Sequence, residues 1–226
     1  MKTLKDYVIS LQEASLLDIE GTLGSGDEVI KDKIEKWITD NFKVDSGLKI
    51  SDNPNDDGKY EVSARYVNIK NKNKKSLTNG LFIWKEVKLY FDCTFCHQLT
   101  SLEGAPEKVD GNFMCDNCEN LVSLKGAPTI VGGSFDCSFC DNLISLEGAP
   151  KEIGGFFMCS YCEHLKSLKY APNKVGESFI CNGCKSLTSL EGAPTKIGGN
   201  FEFKYCHSLK STNLPSTTKV KGKIII

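Results

Sequence analysis

Apolar residues recur at a fixed interval of 22 residues through the second half of the chain. The unit begins as Phe91-Asp-Cys93-Thr-Phe-Cys96-His-Gln-Leu99, and equivalent units begin at Phe113, Phe135, Phe157, Phe179 and Phe201. A second repeated phrase, Ser-Leu-Glu-Gly-Ala-Pro, lies between the units. A unit of this length cannot bury its own apolar face and must stack on its neighbours. The period therefore predicts a solenoid in which each repeat forms one coil.

The spacing inside the unit predicts one strand per coil. Phe91 and Cys93 are two residues apart, so both side chains of a strand would point into the core. The register extends outward, because Ile69 lies 22 residues before Phe91 and the gap between Val220 and Ile224 matches that between Ile197 and Phe201. We expect about eight stacked coils with atypical ends. They are a degenerate opening coil over residues 67–90, six repeats over 91–212 and a closing strand over 213–226.

Residues 1–66 carry a different pattern, without cysteine, histidine or repeat. Apolar residues at helical spacing predict two amphipathic helices, the first at Leu4, Tyr7, Val8 and Leu11 and the second at Ile30, Ile34, Trp37 and Ile38. Ser25 and Glu28 have capping-box spacing at the start of the second helix. Residues 44–50 and 60–66 read as strands. We therefore predict an α+β protein, a parallel β-solenoid with a small N-terminal αβ cap on its open end.

The run Phe-x-Cys-x-x-Cys-x-x-Leu resembles the second half of the leucine-rich-repeat phrase. Over residues 67–226 the chain is similar to Cys-rich, Gly-Ala-Pro-containing leucine-rich-repeat-like proteins, which are common among uncharacterised bacteriophage products. It differs from them in one extra residue before the strand and in Phe where Leu is usual. The resemblance implies a leucine-rich-repeat solenoid and a protein-binding scaffold. It also implies a phage protein that inhibits or redirects a host factor in the host cytoplasm, with that host factor or a phage protein as the partner.

Composition narrows the partner classes. The net charge of −1 gives no general attraction to nucleic acid, and Arg65 is the single arginine among 28 basic residues. No apolar run is long enough to span a membrane, and Asp6 and Glu13 lie where a signal peptide would need apolar residues. We expect a cytoplasmic protein in a reducing compartment, with most of its 11 cysteines as thiols.

Five Cys-x-x-Cys pairs also fit the spacing of zinc ligands, so two interpretations have to be compared. Phe203 replaces the first cysteine in the last repeat, and Asn71 and Lys74 replace the pair in the opening coil; a core tolerates such changes and a zinc site does not. Buried cysteine behaves as a small apolar residue. We favour core thiols, no metal and no cofactor, and keep a zinc-binding structural protein as the alternative. His97, His164 and His207 are interpreted as exposed turn residues.

The positions that vary between the constant apolar ones are the candidates for specificity, and in a leucine-rich-repeat geometry they face the concave surface. One column runs from Asp92 to Glu202, the next from Thr94 to Lys204 and the third from Phe95 to Tyr205. We predict a protein partner on this face, with an apolar centre and an acidic rim. The predicted partner-binding residues are Asp92, Phe95, Met114, Asp116, Asp136, Phe139, Met158, Tyr161, Ile180 and Tyr205. In the alternative interpretation the aromatic side chains fold back over the strand edges and cover the cysteines.

Catalysis is not expected, because no Ser/His/Asp order and no phosphate-binding loop is visible. We therefore predict no small-molecule substrate. The lysines between residues 67 and 90 could contact an acidic surface or a nucleic-acid backbone, but such a run is more typical of a solvated surface. A virion structural component remains an alternative function that the sequence does not separate from a binding scaffold.

Overall fold

A computed structural model describes residues 26–69 and 73–226. The predicted first helix and Ser25 lie outside these residues. The second predicted helix is confirmed as α1 (Gly26–Asn41). The segment that follows contains β1 (Phe42–Val44), β2 (Lys49–Ile50) and β3 (Tyr60–Ile69). The strand predicted over residues 44–50 is therefore two short strands, because a turn at Asp45–Leu48 interrupts it.

The rest of the chain is a parallel β-solenoid of about seven turns, in which β4 (Phe82–Asp92) is the first long strand. Each later coil contributes two short strands on the two sides of a bend. The first of each pair are β5 (Lys108–Val109), β7 (Ile130–Val131), β9 (Glu152–Ile153), β11 (Lys174–Val175), β13 (Lys196–Ile197) and β15 (Lys219–Val220). The second are β6 (Asn112–Met114), β8 (Phe135–Asp136), β10 (Phe157–Met158), β12 (Phe179–Ile180), β14 (Phe201–Glu202) and β16 (Ile224–Ile225).

The two sets of strands form two ladders, and β4 belongs to both. The first ladder continues from β4 to β5 and ends at β15; the second ladder continues from β4 to β6 and ends at β16. Glu86–Val87 pair with β5, and Tyr90–Asp92 pair with β6. Every later pair on either ladder is parallel, with an offset of 22 residues except in the last pair of each ladder, where the offset is 23. Phe157 therefore lies between Phe135 and Phe179. The ladder that holds the phenylalanines also includes β3, which is parallel to β4. Its eight strands are separated by seven turns, which accounts for the difference from the eight coils expected.

The core is a set of columns of identical side chains along the solenoid. The six phenylalanines of the repeat are fully buried, and neighbouring ring centroids lie 5.1–5.5 Å apart. The cysteine and leucine columns of the repeat are buried beside them. Side chains that recur at the same position of each coil therefore pack on their own equivalents, as the period predicts.

The segment before the solenoid packs on its first coil. Ile34 and Ile38 of α1 are fully buried, and the Trp37 ring lies 5.7 Å from the Phe82 ring. The Lys74 ammonium lies 4.6 Å from the centre of the Trp37 ring, and partial burial lowers the pKa of Lys74. The Tyr60 hydroxyl donates a hydrogen bond of 2.7 Å to Asp27 at the start of α1. These contacts connect the helix to β3 and to the apolar core.

Glycines permit the closest approach of the backbone between coils. In one column each Cα–H faces the carbonyl oxygen of the preceding coil, and a Cβ added at Gly154 would lie 1.9 Å from the Gly132 oxygen. The same contact recurs between Gly176 and Gly154 and between Gly198 and Gly176. A side chain added at these glycines would require the neighbouring coils to move apart.

Candidate binding face

The register of the second ladder places the predicted residues of the first column in one row. Asp92 pairs with Met114, Met114 with Asp136, Asp136 with Met158 and Met158 with Ile180. Each of these side chains is half-buried, because the neighbouring coils cover its base. The row therefore presents alternating carboxylate and apolar side chains on the outward side of the strands.

Two of these carboxylates also shape the turn that follows their strand. Asp92 accepts a hydrogen bond from the Thr94 N–H and Asp136 accepts one from the Ser138 N–H, each 2.9 Å long. Side-chain oxygens that bond the backbone two residues on are typical of turns. Burial raises the pKa of Asp136, and the nearby Asp116 carboxylate adds to this effect. Sequence reasoning assigned these aspartates to the partner surface and did not anticipate their contribution to the turn.

The second column forms a hydrogen-bonded ladder of side chains. The Ser138 hydroxyl accepts from the Ser160 N–H, the Ser160 hydroxyl from the Asn182 N–H, and the Asn182 amide oxygen from the Lys204 N–H, over 2.7–3.2 Å. Ser138 and Ser160 are buried. Most of this column therefore stabilises the stacking of the coils. Asp116, the predicted contact residue in it, is half-buried and accepts a 2.8 Å hydrogen bond from the Asn117 side chain.

The third column lies in the turn and holds the exposed aromatic side chains. They are Phe95, Phe139, Tyr161 and Tyr205, which are 50, 46, 42 and 64% exposed. All four residues have a left-handed backbone, with φ between 56° and 60°. Asn117 and Gly183 occupy the same position in the other two coils with φ of 57° and 70°. We refer to this column as the aromatic row.

Two rings of the aromatic row stack along the solenoid. The Phe139 and Tyr161 centroids lie 4.8 Å apart, and the ring planes differ by 9°. The Tyr161 ring extends over Gly183 of the next coil, where an added Cβ would lie 2.5 Å from it. The two rings thus stack along the turns of successive coils, and each keeps about two-fifths of its surface open to solvent.

Two further exposed aromatic residues were missed by sequence reasoning. Phe156 precedes β10 and lies on the outward side of the ladder, where the other coils after β4 have Asn112, Ser134, Ser178, Asn200 and Lys223. Tyr170 has a φ of 69° at a position where four other coils have glycine. Aligning the repeats column by column would have revealed both substitutions. In the same way, Asn117 and Gly183 could have revealed the left-handed position.

No match to this chain was found among protein-family models, curated proteins or solved structures. Within residues 26–69 and 73–226, no helix combines the length and the apolar character that crossing a membrane requires.

The cysteines lie in the core behind the face. All 11 are buried and free of disulfides, and burial raises the pKa of Cys115, Cys137 and Cys181 well above the ordinary value. The second thiol of four pairs, and the single thiol of Cys206, donate to the carbonyl of the first cysteine one coil back, as from Cys140 to Cys115 over 3.3 Å. In the described part of the chain, no three histidine, cysteine or acidic side chains converge as metal ligands would.

Several charged groups near the first coils form local pairs. Lys85 bridges Glu61 and Glu107, and Lys88 bridges Glu86 and Asp110, with N–O distances of 2.6–3.3 Å. These two lysines of the predicted basic run are therefore matched by carboxylates. His164 and His207 are exposed as predicted, and His97 is half-buried beside Glu119. An open cleft of about 370 Å³ between Leu190 and Leu214 lies near the last coil, away from the aromatic row.

Proposed function

We propose that this protein is a non-catalytic scaffold that binds another protein on the outward face of the second ladder. The observation that supports it is the aromatic row, in which four large side chains are held exposed on a left-handed backbone. A left-handed residue other than glycine or asparagine costs about 1–2 kcal/mol. Strain of this kind concentrates at functional sites. Asn117 and Gly183 show which residues meet the backbone requirement at less cost.

The centre of the proposed interface lies on the fourth repeat and its neighbours. Phe156 and Met158 project from the same side of β10, and Ile180 lies beside Met158 in the ladder. The Phe139–Tyr161 stack borders them across the turn. Aromatic and methionine side chains are enriched in the cores of protein interfaces, and polar residues surround them. Asp116 and Asp136 would form that polar rim.

Two features of the fold support more specific proposals, one about the type of solenoid and one about the cap on its first coil. We propose that the solenoid is of the leucine-rich-repeat type, since the second cysteine of four pairs bonds a backbone carbonyl of the adjacent coil as an asparagine would. We also propose that residues 26–69 cap its first coil through Ile34, Ile38 and Phe42, which are buried. The proposed partner is a host or phage protein in the cytoplasm, as the resemblance of the repeats implies.

The test replaces the centre of the face by charge. Phe139→Glu with Met158→Asp places two carboxylates in the proposed interface core, where burying an unpaired charge opposes binding. Partners are captured from a lysate on the wild-type chain and on the double variant, and are identified by mass spectrometry. A photo-crosslinking residue at Tyr161 then reports whether the captured protein contacts the aromatic row.

The matched control carries the same charges outside the face, as Ile144→Glu with Ile130→Asp, both exposed apolar positions. We expect the control to keep the partner and the Phe139/Met158 variant to lose it, with equal thermal midpoints for both. A partner retained by all three chains, or crosslinked only outside the row, would contradict the proposal.

A further inference from the structure

The aromatic row is interrupted at two of its six positions, where Asn117 and Gly183 supply no ring. The N–H groups of Phe95 and Asn117 each donate to the next coil, so the coils keep their spacing through the turn. The turns that carry Phe95 and Phe139 are two coils apart, which leaves about 9.6 Å, or room for one planar group about 4.8 Å from each ring. Phe139 and Tyr161 stack at the same spacing of 4.8 Å.

The space between Phe95 and Phe139, which we call the Asn117 gap, is bordered by rings but holds a short side chain. The Asn117 amide donates a hydrogen bond of 2.8 Å to the Asp116 carboxylate, which lies in the same turn. The Phe95 ring meets the His97 ring of its own coil, with centroids 6.3 Å apart. A planar side chain from a partner would therefore continue the stack at this position.

Carboxylates surround the Asn117 gap. Asp116 precedes Asn117, and Glu119 follows two residues later with its carboxylate 3.4 Å from His97. The same sign of charge extends along the first four repeats. Their turn segments contain six carboxylates and no lysine or arginine, over residues 92–98, 114–120, 136–142 and 158–164. This part of the row attracts cations and repels anions.

The interruption at Gly183 differs in both respects. The Tyr161 ring of the preceding coil occupies the space, since a Cβ added at Gly183 would lie 2.5 Å from it. The charges nearby are basic, because Lys185 follows two residues later and the Gly183 N–H bonds the Lys204 carbonyl of the next coil. The Asn117 gap thus combines space between two rings with negative charge, and the Gly183 position has neither.

We propose that the Asn117 gap binds an arginine side chain of the partner protein, with its guanidinium between the Phe95 and Phe139 rings and opposite Asp116 and Glu119. This inference rests on the proposed function and names the partner's chemistry, a segment rich in arginine. A guanidinium is planar, stacks on aromatic faces and pairs with carboxylates through two N–H groups, whereas the lysine ammonium is a compact charge. Rings attract a cation within about 6 Å of their centres.

The first test uses the full chain and three short peptides that alternate glycine with arginine, lysine or citrulline. Citrulline keeps the planar end of arginine and lacks its charge. Fluorescence anisotropy of the labelled peptides measures binding at physiological ionic strength. We expect the arginine peptide to bind at least about tenfold more tightly than either of the others. Equal binding of the three peptides, or no binding of the arginine peptide at millimolar concentration, would overturn the proposal.

The space itself is tested by a pair of substitutions at one position. Asn117→Tyr fills the gap with a ring, and Asn117→Gly deepens it. The left-handed backbone accepts both, as Tyr161 and Gly183 show in other coils. We expect Asn117→Tyr to weaken binding of the arginine peptide at least about tenfold and Asn117→Gly to bind it as tightly as the wild type or more tightly. Unchanged binding by the tyrosine variant would contradict the location.

The charge is tested by a second pair of variants. Asp116→Asn with Glu119→Gln removes both charges and keeps the size of the side chains. The matched control, Glu103→Gln with Glu191→Gln, removes two exposed carboxylates of the Ser-Leu-Glu-Gly-Ala-Pro phrase. We expect about tenfold weaker binding for the first variant and at most about a twofold change for the control. Equal effects of the two variants would show that only the overall charge matters and would overturn the site.

Failure of the arginine site and failure of the binding face are distinguishable. A captured partner that is lost from Phe139→Glu/Met158→Asp but retained by Asp116→Asn/Glu119→Gln would support the face and overturn the arginine site. Binding of the arginine peptide with the preferences above, without any partner lost from Phe139→Glu/Met158→Asp, would support the arginine site and contradict the protein-binding face.

Discussion

Tyr170 combines a left-handed backbone conformation, which favours glycine, with a large aromatic side chain. The other members of its column are glycines with φ between 83° and 95°, namely Gly104, Gly126, Gly148 and Gly192. A Cβ added at Gly126, Gly148 or Gly192 would lie 2.4–2.5 Å from the backbone of the preceding coil. Tyr170 accepts the left-handed conformation and carries a ring that is 52% exposed, with the Lys169 ammonium 5.1 Å from its centre.

Replacing Tyr170 by glycine should therefore stabilise the protein. We expect Tyr170→Gly to raise the free energy of unfolding by about 1 kcal/mol, since it removes the left-handed penalty and adds back part of the glycine entropy. Gly192→Ala in the same column should lower it. Urea unfolding at neutral pH measures both changes. A less stable Tyr170→Gly variant would mean that the contact between the ring and Lys169 outweighs the backbone strain.

Single positions also show the limit of sequence reasoning about the site. The row from Asp92 to Ile180 was predicted and its members do lie side by side, because a strict period determines the register. The left-handed backbone of Phe139 and Tyr161 was not predicted, since aromatic residues rarely adopt it. The exposure of Phe156 was missed because it adjoins the fully buried Phe157.

Among the elements, the bend between the two strands of each coil is the least tolerant of larger side chains. The Cα atoms of the glycine column face carbonyl oxygens of the preceding coil, and both strands depend on that spacing. One strand per coil was predicted, whereas the structure has two. The strand missed is only two residues long in each coil, for example Lys174–Val175, which is too short to show an alternating pattern.

Gly154→Ala should be more destabilising than most surface substitutions. The new methyl group would lie 1.9 Å from the Gly132 oxygen, so the coils must separate and both ladders lose hydrogen-bond geometry. We expect a loss of about 3 kcal/mol, at the upper end of overpacking costs. Thermal unfolding measures it, with Gly26→Ala as the control because nothing lies within 4 Å of a Cβ there. Equal midpoints for the two variants would refute the close-contact argument.

For the whole molecule, the buried thiols make stability depend on alkaline pH. Burial raises the pKa of six cysteines, to about 12 for Cys93, and the others are Cys115, Cys137, Cys140, Cys162 and Cys181. In the unfolded chain a thiol ionises near pH 8.5. Thiolate formation therefore favours the unfolded chain, and the stability present at neutral pH is lost as the pH rises.

The expected loss of stability at alkaline pH is large because the free-energy costs of the six thiols add up. Each costs about 1.4 kcal/mol at one pH unit above its unfolded pKa, so six cost about 8 kcal/mol, which is comparable to the total stability of a domain. We expect cooperative unfolding between about pH 9 and 10.5 in a reductant. Circular dichroism and thiolate absorbance recorded together provide the check. Thiolate formation near pH 8.5 with intact secondary structure would show that the thiols are accessible to solvent.

For the whole molecule, the sequence predicts the stacking of the repeated coils better than the structure of the first coil and the segment before it. The repeat determines the stacking, and Val220 and Ile224 pair as the register indicates. The connection at the first coil was harder to predict, because β3 runs from residue 60 to 69 through the predicted boundary at residue 66 and joins β4 with two register shifts. Irregular pairing of this kind leaves no periodic trace.

The direction of the ladder hydrogen bonds has a mechanical consequence. Strands lie across the solenoid, so the bonds between coils run along its long axis. Tension applied to the two ends would act on one coil interface at a time, and the bonds of that interface would open in succession. Each coil of 22 residues that comes free would release roughly 70 Å of extended chain. Stretched in this direction, the molecule would lengthen in steps under a low and nearly constant force.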